Sequence, residues 1–408
     1  MLKRGLVIMM LATLVACQSQ STDSDDPSQY WGGTDAATVD ERLVTADNTF
    51  GLKLLRELAD AAPGENLFIS PTSVAMALTM TYNGASGETQ AAMADALAIN
   101  GLTLQEVNEA SQALRLMLED PEPDVRLDIA NSLWARDGIP FEEDFLERNR
   151  QYFAAEVTTL DFASPDAAPT INGWVDDKTE GRITEIVDDP IDPDAILFLI
   201  NAIYFKGTWT YKFDPEETSE RPFGCADGST AMVPMMEQAD GFRYLEGDGF
   251  NAVRLPYGSE RMGMYLFLPD EDVGLNEIIG VVDAATWDTW IGQFETQMCG
   301  VMLPRISLEY EQSLKNSLIA LGMGLAFSDE AEFSQMTSLP VKISDVRHKT
   351  FLQIDEEGTE AAAVTSVESQ LLSDPRYPVL RFNRPFLCAI VDDGTGAILF
   401  VGAVSDPS

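Results

Sequence analysis

The segment AILFLINAIYFKG, residues 195–207, decides the fold class of this chain. It is an almost unbroken run of apolar, strand-forming residues, and a strand of this kind needs cover on both of its faces. Helix-forming segments dominate before this run, and strand-forming segments become frequent after it. This order predicts an α+β fold rather than a regular alternation of strands and helices. Because the helical half ends in a strand that must be covered, we expect one intertwined domain rather than two.

Two segments at the beginning of the domain are predicted helices. Residues 44–61 carry apolar side chains at helical spacing. Residues 70–85 follow, with Ser70 as the predicted N-cap and Pro71 in the first turn. The second segment is rich in small residues, which indicates a buried helix that packs closely against its neighbours.

The charge of the chain limits its partners. Of its 408 residues 45% are apolar, which is enough for a large core, but 67 acidic residues face only 26 lysines and arginines. The formal charge of −41 repels phosphate backbones and anionic lipid headgroups. We therefore expect no nucleic acid and no polyanion cofactor as a partner; the acidic surface keeps an exported protein soluble.

The N-terminus has the pattern of an export signal. Lys3 and Arg4 precede a short apolar run, which predicts a signal peptide over residues 1–16. The sequence LVAC at 14–17 resembles the bacterial lipobox, which implies cleavage before Cys17 and acylation of that residue. The alternative is an ordinary secreted protein. We predict a cell-envelope lipoprotein or extracellular protein whose membrane contact is only the lipid.

The segment after the signal peptide divides the chain further. Residues 17–42 contain the lipidated cysteine followed by a polar stretch without periodicity, which is typical of a flexible tether. The predicted globular domain is 43–408.

Three cysteines remain after Cys17, and an odd number permits at most one internal disulfide. Cys388 lies in the apolar run PFLCAIV and is predicted to be a buried thiol. Cys225 and Cys299 are therefore the predicted disulfide pair. The sequence has no CxxC and no Cys/His cluster with metal-ligand spacing, so we predict no metal and no cofactor.

Catalytic patterns are missing from the sequence. It has no GxSxG, no phosphate-binding glycine loop and no HExxH, and its single histidine, His348, opens a predicted strand. A hydrolase would have to use that histidine beside a nucleophile. We predict that the protein is not an enzyme, and that His348 has a structural role.

The tract EEGTEAAAVTSVES, residues 356–369, is hinged by Gly358 and contains no proline. Read with period two, positions 359, 361, 363, 365, 367 and 369 carry no charge, so one face of a strand could be buried. The same residues could form an exposed Ala-rich helix from Thr359 or a solvated linker. The period by itself leaves these alternatives open.

The tract is similar to the reactive-loop hinge of the serpins, a family of serine-protease inhibitors. Other segments resemble serpin segments in serpin order: NLFISPTSVAMALTMTYNGASGETQAAM (66–93), INGWVDDKTEGRITEIV (171–187), LINAIYFKGTWTYKFDP (199–215), VPMM (233–236), LPRISLEY (303–310) and FNRPFLCAIVDDGTGAILFVGAVSDP (382–407). The resemblance implies a single serpin domain with three β-sheets, a helical N-terminal half and an exposed reactive-centre loop at about 356–380.

The resemblance also implies a mechanism. A serine protease attacks the loop and forms an acyl-enzyme, and the cut loop then inserts into the central sheet and traps the enzyme. The implied partner is a chymotrypsin-like or subtilisin-like serine protease, with cysteine proteases as a second class, and the protein would act as a monomer. The alternative is a non-inhibitory serpin with a binding or chaperone-like role.

Site residues carry over from the family motifs position by position. Glu356 matches the hinge glutamate, and Arg305 matches the basic residue that pairs with it. The shutter, a hydrogen-bonded cluster beneath the opening strands, and the breach, where the loop first enters the sheet, also have counterparts. These residues are the hinge Glu356, Glu357, Gly358, Thr359, Glu360, Ala361, Ala362 and Ala363; the shutter Ser70, Ser73, Asn201 and His348; and the breach Trp209.

The scissile bond follows from family spacing. Counting seventeen residues from Glu356 inclusive gives the bond Leu372–Ser373. Counting back from FNRPF moves it one or two residues toward Asp374, and Leu371 and Arg376 are further alternatives. A leucine at this position suits the hydrophobic primary pocket of chymotrypsin-like or subtilisin-like enzymes.

Overall fold

Helices occupy most of the first part of the chain, and strands most of the remainder. The computed structural model describes residues 39–119, 124–192, 195–359 and 377–408. The helices are α1 (Glu41–Ala61), α2 (Pro71–Tyr82), α3 (Gly87–Ala96), α4 (Leu104–Leu118), α5 (Glu143–Phe153), α6 (Ala167–Lys178), α7 (Leu275–Val281), α8 (Ala284–Ile291) and α9 (Lys315–Ala320). The strands are β1 (Leu67–Ile69), β2 (Val125–Arg136), β3 (Glu156–Leu160), β4 (Leu197–Thr208), β5 (Ser219–Gly224), β6 (Thr230–Glu246), β7 (Phe250–Tyr257), β8 (Met262–Pro269), β9 (Glu295–Pro304), β10 (Ile306–Ser313), β11 (Asp345–Ile354), β12 (Gly358–Thr359), β13 (Val379–Arg381), β14 (Phe386–Asp392) and β15 (Ala397–Val404).

Helix α1 begins two residues before Leu43, where the sequence places the start of the domain. The carboxylate of Asp40 accepts a hydrogen bond from the backbone N–H of Arg42 (2.9 Å) and caps the helix. The signal peptide and Cys17 lie outside the described residues. None of the helices that the structure describes is long and apolar enough to cross a bilayer.

Helix α2 is buried along its whole length, as its small residues predict. Pro71 occupies the first turn, where the missing N–H costs no intrahelical bond. Ser70 stands at the N-cap position, but its hydroxyl makes no capping hydrogen bond. The helix is therefore held by burial in the core rather than by a side-chain cap.

The central sheet has six strands in the order β10-β11-β12-β4-β2-β3. Strand β4 pairs antiparallel with β2 over almost its full length. Its side chains alternate between two apolar clusters: Leu199 packs into the main core, and Ile200 packs with Ile171 and Val175 of α6. The expectation that the apolar run needs cover on both faces is confirmed.

The other strands form one continuous nine-stranded ladder that contains two sheets. Residues 230–235 of β6 pair with β5 and residues 235–244 pair with β9, which pairs in turn with β13. The last residues of β6 pair with β7, from which the ladder continues through β8, β14 and β15 to β1. The long strand β6 belongs to both sheets of this ladder. Together with the central sheet the fold has three sheets, and the predicted single α+β domain is confirmed.

The predicted Cys225–Cys299 disulfide is wrong. Cys225, Cys299 and Cys388 are all free, buried thiols. Cys225 lies in the turn before β6, where its N–H donates to the carbonyl of Ser229. Cys299 lies in β9, opposite Asp240, which is ten residues after the start of β6. Ten or more residues of strand correspond to roughly 30 Å, several times the reach of a disulfide.

Candidate functional site

The central sheet is only partly closed between β11 and β4. These strands pair in parallel from Asp345 opposite Phe198 to Lys349 opposite Ala202, and no further. Beyond that point, residues 350–353 and 203–206 are not paired with each other. We call this gap the slot. Its closed end is the parallel ladder, and its open end is occupied by the short strand β12.

Strand β12 fills the open end of the slot with Gly358 and Thr359. Thr359 is in register with Ile354 of β11 on one side and with Gly207 of β4 on the other. Its hydroxyl lies 2.7 Å from that of Tyr257, and both side chains are buried. Burial raises the pKa of Tyr257, which remains neutral and available for this hydrogen bond. The first two residues after Glu357 are therefore already part of the sheet.

A tight turn, residues 355–358, leads from β11 into β12, and we call it the hinge turn. The N–H of Asp355 donates to the carbonyl of Gly358 (2.9 Å), and the carboxylate of Asp355 accepts from the N–H of Glu357 (2.9 Å). Gly358 has a φ of 150°, and a Cβ there would lie 2.0 Å from the carbonyl oxygen of Gly207. Only glycine fits at this point.

The segment after β4, residues 209–213, holds the hinge turn through its backbone. The indole Nε1–H of Trp209 donates to the carbonyl of Asp355 (3.0 Å), and its backbone N–H donates to that of Glu357 (2.9 Å). The N–H of Phe213 donates to the carbonyl of Glu356 (3.0 Å). Trp209 is buried and stacks on Tyr257 with ring centroids 4.4 Å apart. Three successive carbonyls of the turn are therefore bound from the β4 side.

Two of the acidic residues in the hinge turn form ion pairs on opposite sides. Arg305, just before β10, donates to Glu356 from both Nε (2.9 Å) and Nη2 (2.7 Å). Burial raises the pKa of Glu356, but the hydrogen bonds from Arg305 and Thr218 outweigh it, so that the net shift is downward. Glu357 pairs with Lys212 at 2.6 Å, on the β4 side.

Sequence reasoning missed both Lys212 and Tyr257. Lys212 is the single cation in the stretch TWTYKFDPEE, so a lone charge near Trp209 was the available signal. For Tyr257 there was none, because its partner Thr359 is about a hundred residues away in the chain and meets it only in the folded sheet.

The predicted shutter residues lie at the closed end of the slot. The backbone N–H of Ser70 donates to Nε2 of His348 (3.1 Å), and the backbones of His348 and Asn201 are register partners in the parallel ladder. Ser73 is buried in the first turn of α2. Burial lowers the pKa of His348 to about 3, so the imidazole is neutral and carries its proton on Nδ1.

The rest of the predicted loop lies outside the described residues. This applies to Glu360, to Ala361, Ala362 and Ala363, and to the predicted reactive bond Leu372–Ser373. The chain enters the described structure again at Tyr377, directly before β13.

Comparisons with known proteins agree with this geometry. The family model described as "Serpin (serine protease inhibitor)" matches residues 45–407. The chain is 34% identical over 372 residues to corticosteroid-binding globulin of Oryctolagus cuniculus. The match covers 90% of this chain and 96% of that protein. It is also 34% identical to an uncharacterised serpin-like protein of Thermococcus kodakarensis, in a match that covers 90% of this chain and 86% of that one.

Solved structures give the same result. Tengpin, a thermophilic serpin in its native state, is similar with a TM-score of 0.84 and 31% identity over 90% of this chain and 95% of that one. Human thyroxine-binding globulin in complex with thyroxine has a TM-score of 0.83 and 28% identity, over 90% of this chain and 99% of that one. With a family model that spans nearly the whole described chain, and relatives above 30% identity over most of their length, this protein belongs to the serpin family.

Proposed function

We propose that the protein inhibits serine proteases as a suicide substrate whose cut loop inserts into the slot. The observation that carries this proposal is the position of Thr359, which already pairs with both β4 and β11, while beyond it no described residue pairs across the slot with residues 350–353 or 203–206. A strand entering there would satisfy the free backbone edges of two strands at once, and each net hydrogen bond contributes about 1 kcal/mol.

The register of β12 determines how the loop would continue. Antiparallel pairing extended from Thr359 would bring residue 361 beside Leu352 and Phe205, and residue 363 beside Thr350 and Ile203. These four neighbours are buried. The residues at 361 and 363 are both alanine, so the buried face of the inserted strand would be small and uncharged. Glu360 would lie beside Lys206, which is exposed, so its charge would remain in water.

The chemistry belongs to the protease. Its serine Oγ attacks the carbonyl carbon of Leu372, the bond to the nitrogen of Ser373 breaks, and the freed amine takes the proton from the catalytic histidine of the protease. The carbonyl of Leu372 is then esterified to the serine. Insertion of the new chain end into the slot would carry the attached enzyme across the molecule before water can hydrolyse the ester.

A non-inhibitory role is the second candidate. It is supported by the similarity to corticosteroid-binding and thyroxine-binding globulins, whose names describe the binding of small hormones. In that case the loop would be cut without retention of the protease.

The test incubates the protein with chymotrypsin, subtilisin, elastase and trypsin separately. We expect a complex that survives denaturing electrophoresis with chymotrypsin or subtilisin, together with a released C-terminal peptide that begins at Ser373 in mass spectrometry. A matched variant, Leu372→Arg, should move complex formation from chymotrypsin to trypsin, because the primary pocket of trypsin takes a basic side chain. Cleavage by all four enzymes without any stable complex would favour the non-inhibitory role.

We further propose that the protein is exported and anchored through a lipid on Cys17, on the basis of the LVAC sequence at 14–17. The Cys17→Ser variant should lose membrane association in cell fractionation. A variant that still sediments with membranes would contradict the anchor.

A further inference from the structure

The hinge turn contacts both sides of the slot at its open end. On one side, Arg305 directly precedes β10, which pairs with β11, and its guanidinium binds Glu356. On the other side, Lys212 follows β4, and its ammonium binds Glu357. The adjacent carboxylates of Glu356 and Glu357 are thus ion-paired with residues on opposite sides of the slot.

The two ion pairs differ in their surroundings. The Glu356 side chain is 6% exposed and its partner Arg305 46% exposed. In the second pair, Glu357 is 13% exposed and Lys212 31% exposed, with Nζ 2.6 Å from the carboxylate. Glu357 is therefore largely removed from water and depends on one lysine for its compensating charge.

The Glu357 carbonyl adds a second connection on the same side. It accepts a hydrogen bond from the N–H of Trp209 (2.9 Å), so Lys212 and Trp209 bind the side chain and the backbone of one residue. Gly358 follows immediately, and Gly358 and Thr359 form the seated strand. Loss of the Lys212 contact would leave the hinge turn and the seated strand attached on the β4 side by backbone hydrogen bonds and the indole of Trp209, with no ion pair.

We propose that Lys212 is a positioning residue for the reactive loop, and that its ion pair with Glu357 keeps Gly358 and Thr359 seated in the slot before the protease cuts. This inference rests on the proposed inhibitory function and deepens it. A seated Thr359 has already closed the loop onto the sheet, so the entropy cost of starting the new strand is met before cleavage. Insertion then begins from an existing strand pair and competes better with hydrolysis of the acyl-enzyme.

The main test measures hydrogen–deuterium exchange of the whole protein in peptides that cover residues 355–359 and 209–213. Lys212→Glu and Glu357→Lys should each speed exchange in both peptides about two- to fivefold, which is the effect of one partly exposed ion pair. The double variant Lys212→Glu/Glu357→Lys restores opposite charges and should return the rate to within a factor of about two of the original protein. Lys53→Glu on α1 makes the same charge change elsewhere and should leave both peptides unchanged.

A second measurement follows the stoichiometry of inhibition with the protease that forms the complex. Both single variants should need more inhibitor per protease molecule trapped, and the charge swap should restore the original ratio. Thermal unfolding of Lys212→Glu and Lys53→Glu separates a local release of the hinge from a global loss of stability.

The outcomes separate this inference from the proposed function. If the original protein traps no protease, the inhibitory function fails, and the exchange measurement still decides whether Lys212 holds the hinge. Unchanged exchange in Lys212→Glu would overturn the inference. So would a charge swap that exchanges as fast as the single variants, because the effect would then not depend on the pair.

Discussion

The two ends of the slot are held together by different chemistry. At the open end, two of the side-chain contacts are partly exposed ion pairs, Arg305 with Glu356 and Lys212 with Glu357. At the closed end, the hydrogen bond from Ser70 to a neutral His348 is buried, although Arg347 and Lys349 of the same parallel ladder form ion pairs of their own. Ion pairs near solvent can separate at low free-energy cost because water replaces each partner.

The buried hydrogen bond at the closed end follows the opposite rule. A charge at His348 would have no water to stabilise it, so burial keeps the imidazole neutral and its hydrogen bond fixed. The comparison teaches that charges partly accessible to solvent hold the hinge turn at the open end, whereas the closed end centres on a neutral, buried hydrogen bond. Four experiments test or refine this contrast.

The largest effect is expected from a charge placed in the seated strand. Thr359→Arg would put a guanidinium where a buried hydroxyl now meets Tyr257, and an unpaired buried charge costs several kcal/mol. We expect the yield of denaturation-resistant complex to fall more than tenfold while cleavage of the loop continues. Thr359→Ser keeps the hydroxyl and should trap protease normally. Equal complex yields from Thr359→Arg and the original protein would show that Thr359 does not enter the sheet.

The closed end should respond to pH through His348. Its pKa in the folded protein is about 3 against an ordinary 6.5, so between these values the unfolded chain binds a proton that the folded protein does not. Stability through this residue therefore falls as the pH falls, by about 1 kcal/mol between pH 7.5 and 5.5. Urea unfolding of His348→Gln at the two pH values should show this loss removed relative to the original protein. If the free energy of unfolding fell equally with pH in His348→Gln and the original protein, the lowered pKa of His348 would be contradicted.

The open end should respond at lower pH through Glu356. Its folded pKa lies below the ordinary 4.5, so the stability from its pair with Arg305 is present above 4.5 and is lost as the pH falls below it. Arg305→Ala should cost about 1–2 kcal/mol at neutral pH, less than a fully buried pair because nearly half of the arginine side chain is exposed. Urea unfolding should show the two proteins converging toward pH 3. Arg305→Lys, which keeps the charge, should lose less.

The smallest effect concerns the cysteines. Because Cys225, Cys299 and Cys388 are free thiols, dithiothreitol should leave the unfolding midpoint unchanged. Thiol titration of the denatured domain should count all three with and without reductant. A midpoint that drops by several degrees under reduction would indicate a disulfide and contradict the structure.

The fold class could be predicted from the sequence because it follows from local patterns of apolar residues. The apolar run at 195–207 demanded cover on both faces, and the structure supplies the main core on one side and α6 on the other. The disulfide prediction failed for a complementary reason. Counting cysteines says nothing of distance, and Cys225 and Cys299 are separated by most of the length of β6.

The sequence by itself determined the α+β domain, the order of its segments, and the family to which the hinge tract, Arg305 and His348 point. Only the tertiary structure decided that Thr359 is seated between β4 and β11, that Tyr257 receives it, and that Lys212 holds Glu357. The reason is physical: periodicity and capping act over a few residues, whereas the contacts of Thr359 with β4 and Tyr257, and of Glu357 with Lys212, join positions about a hundred or more residues apart. Such positions meet only when the strands have been ordered by the packing of the whole core.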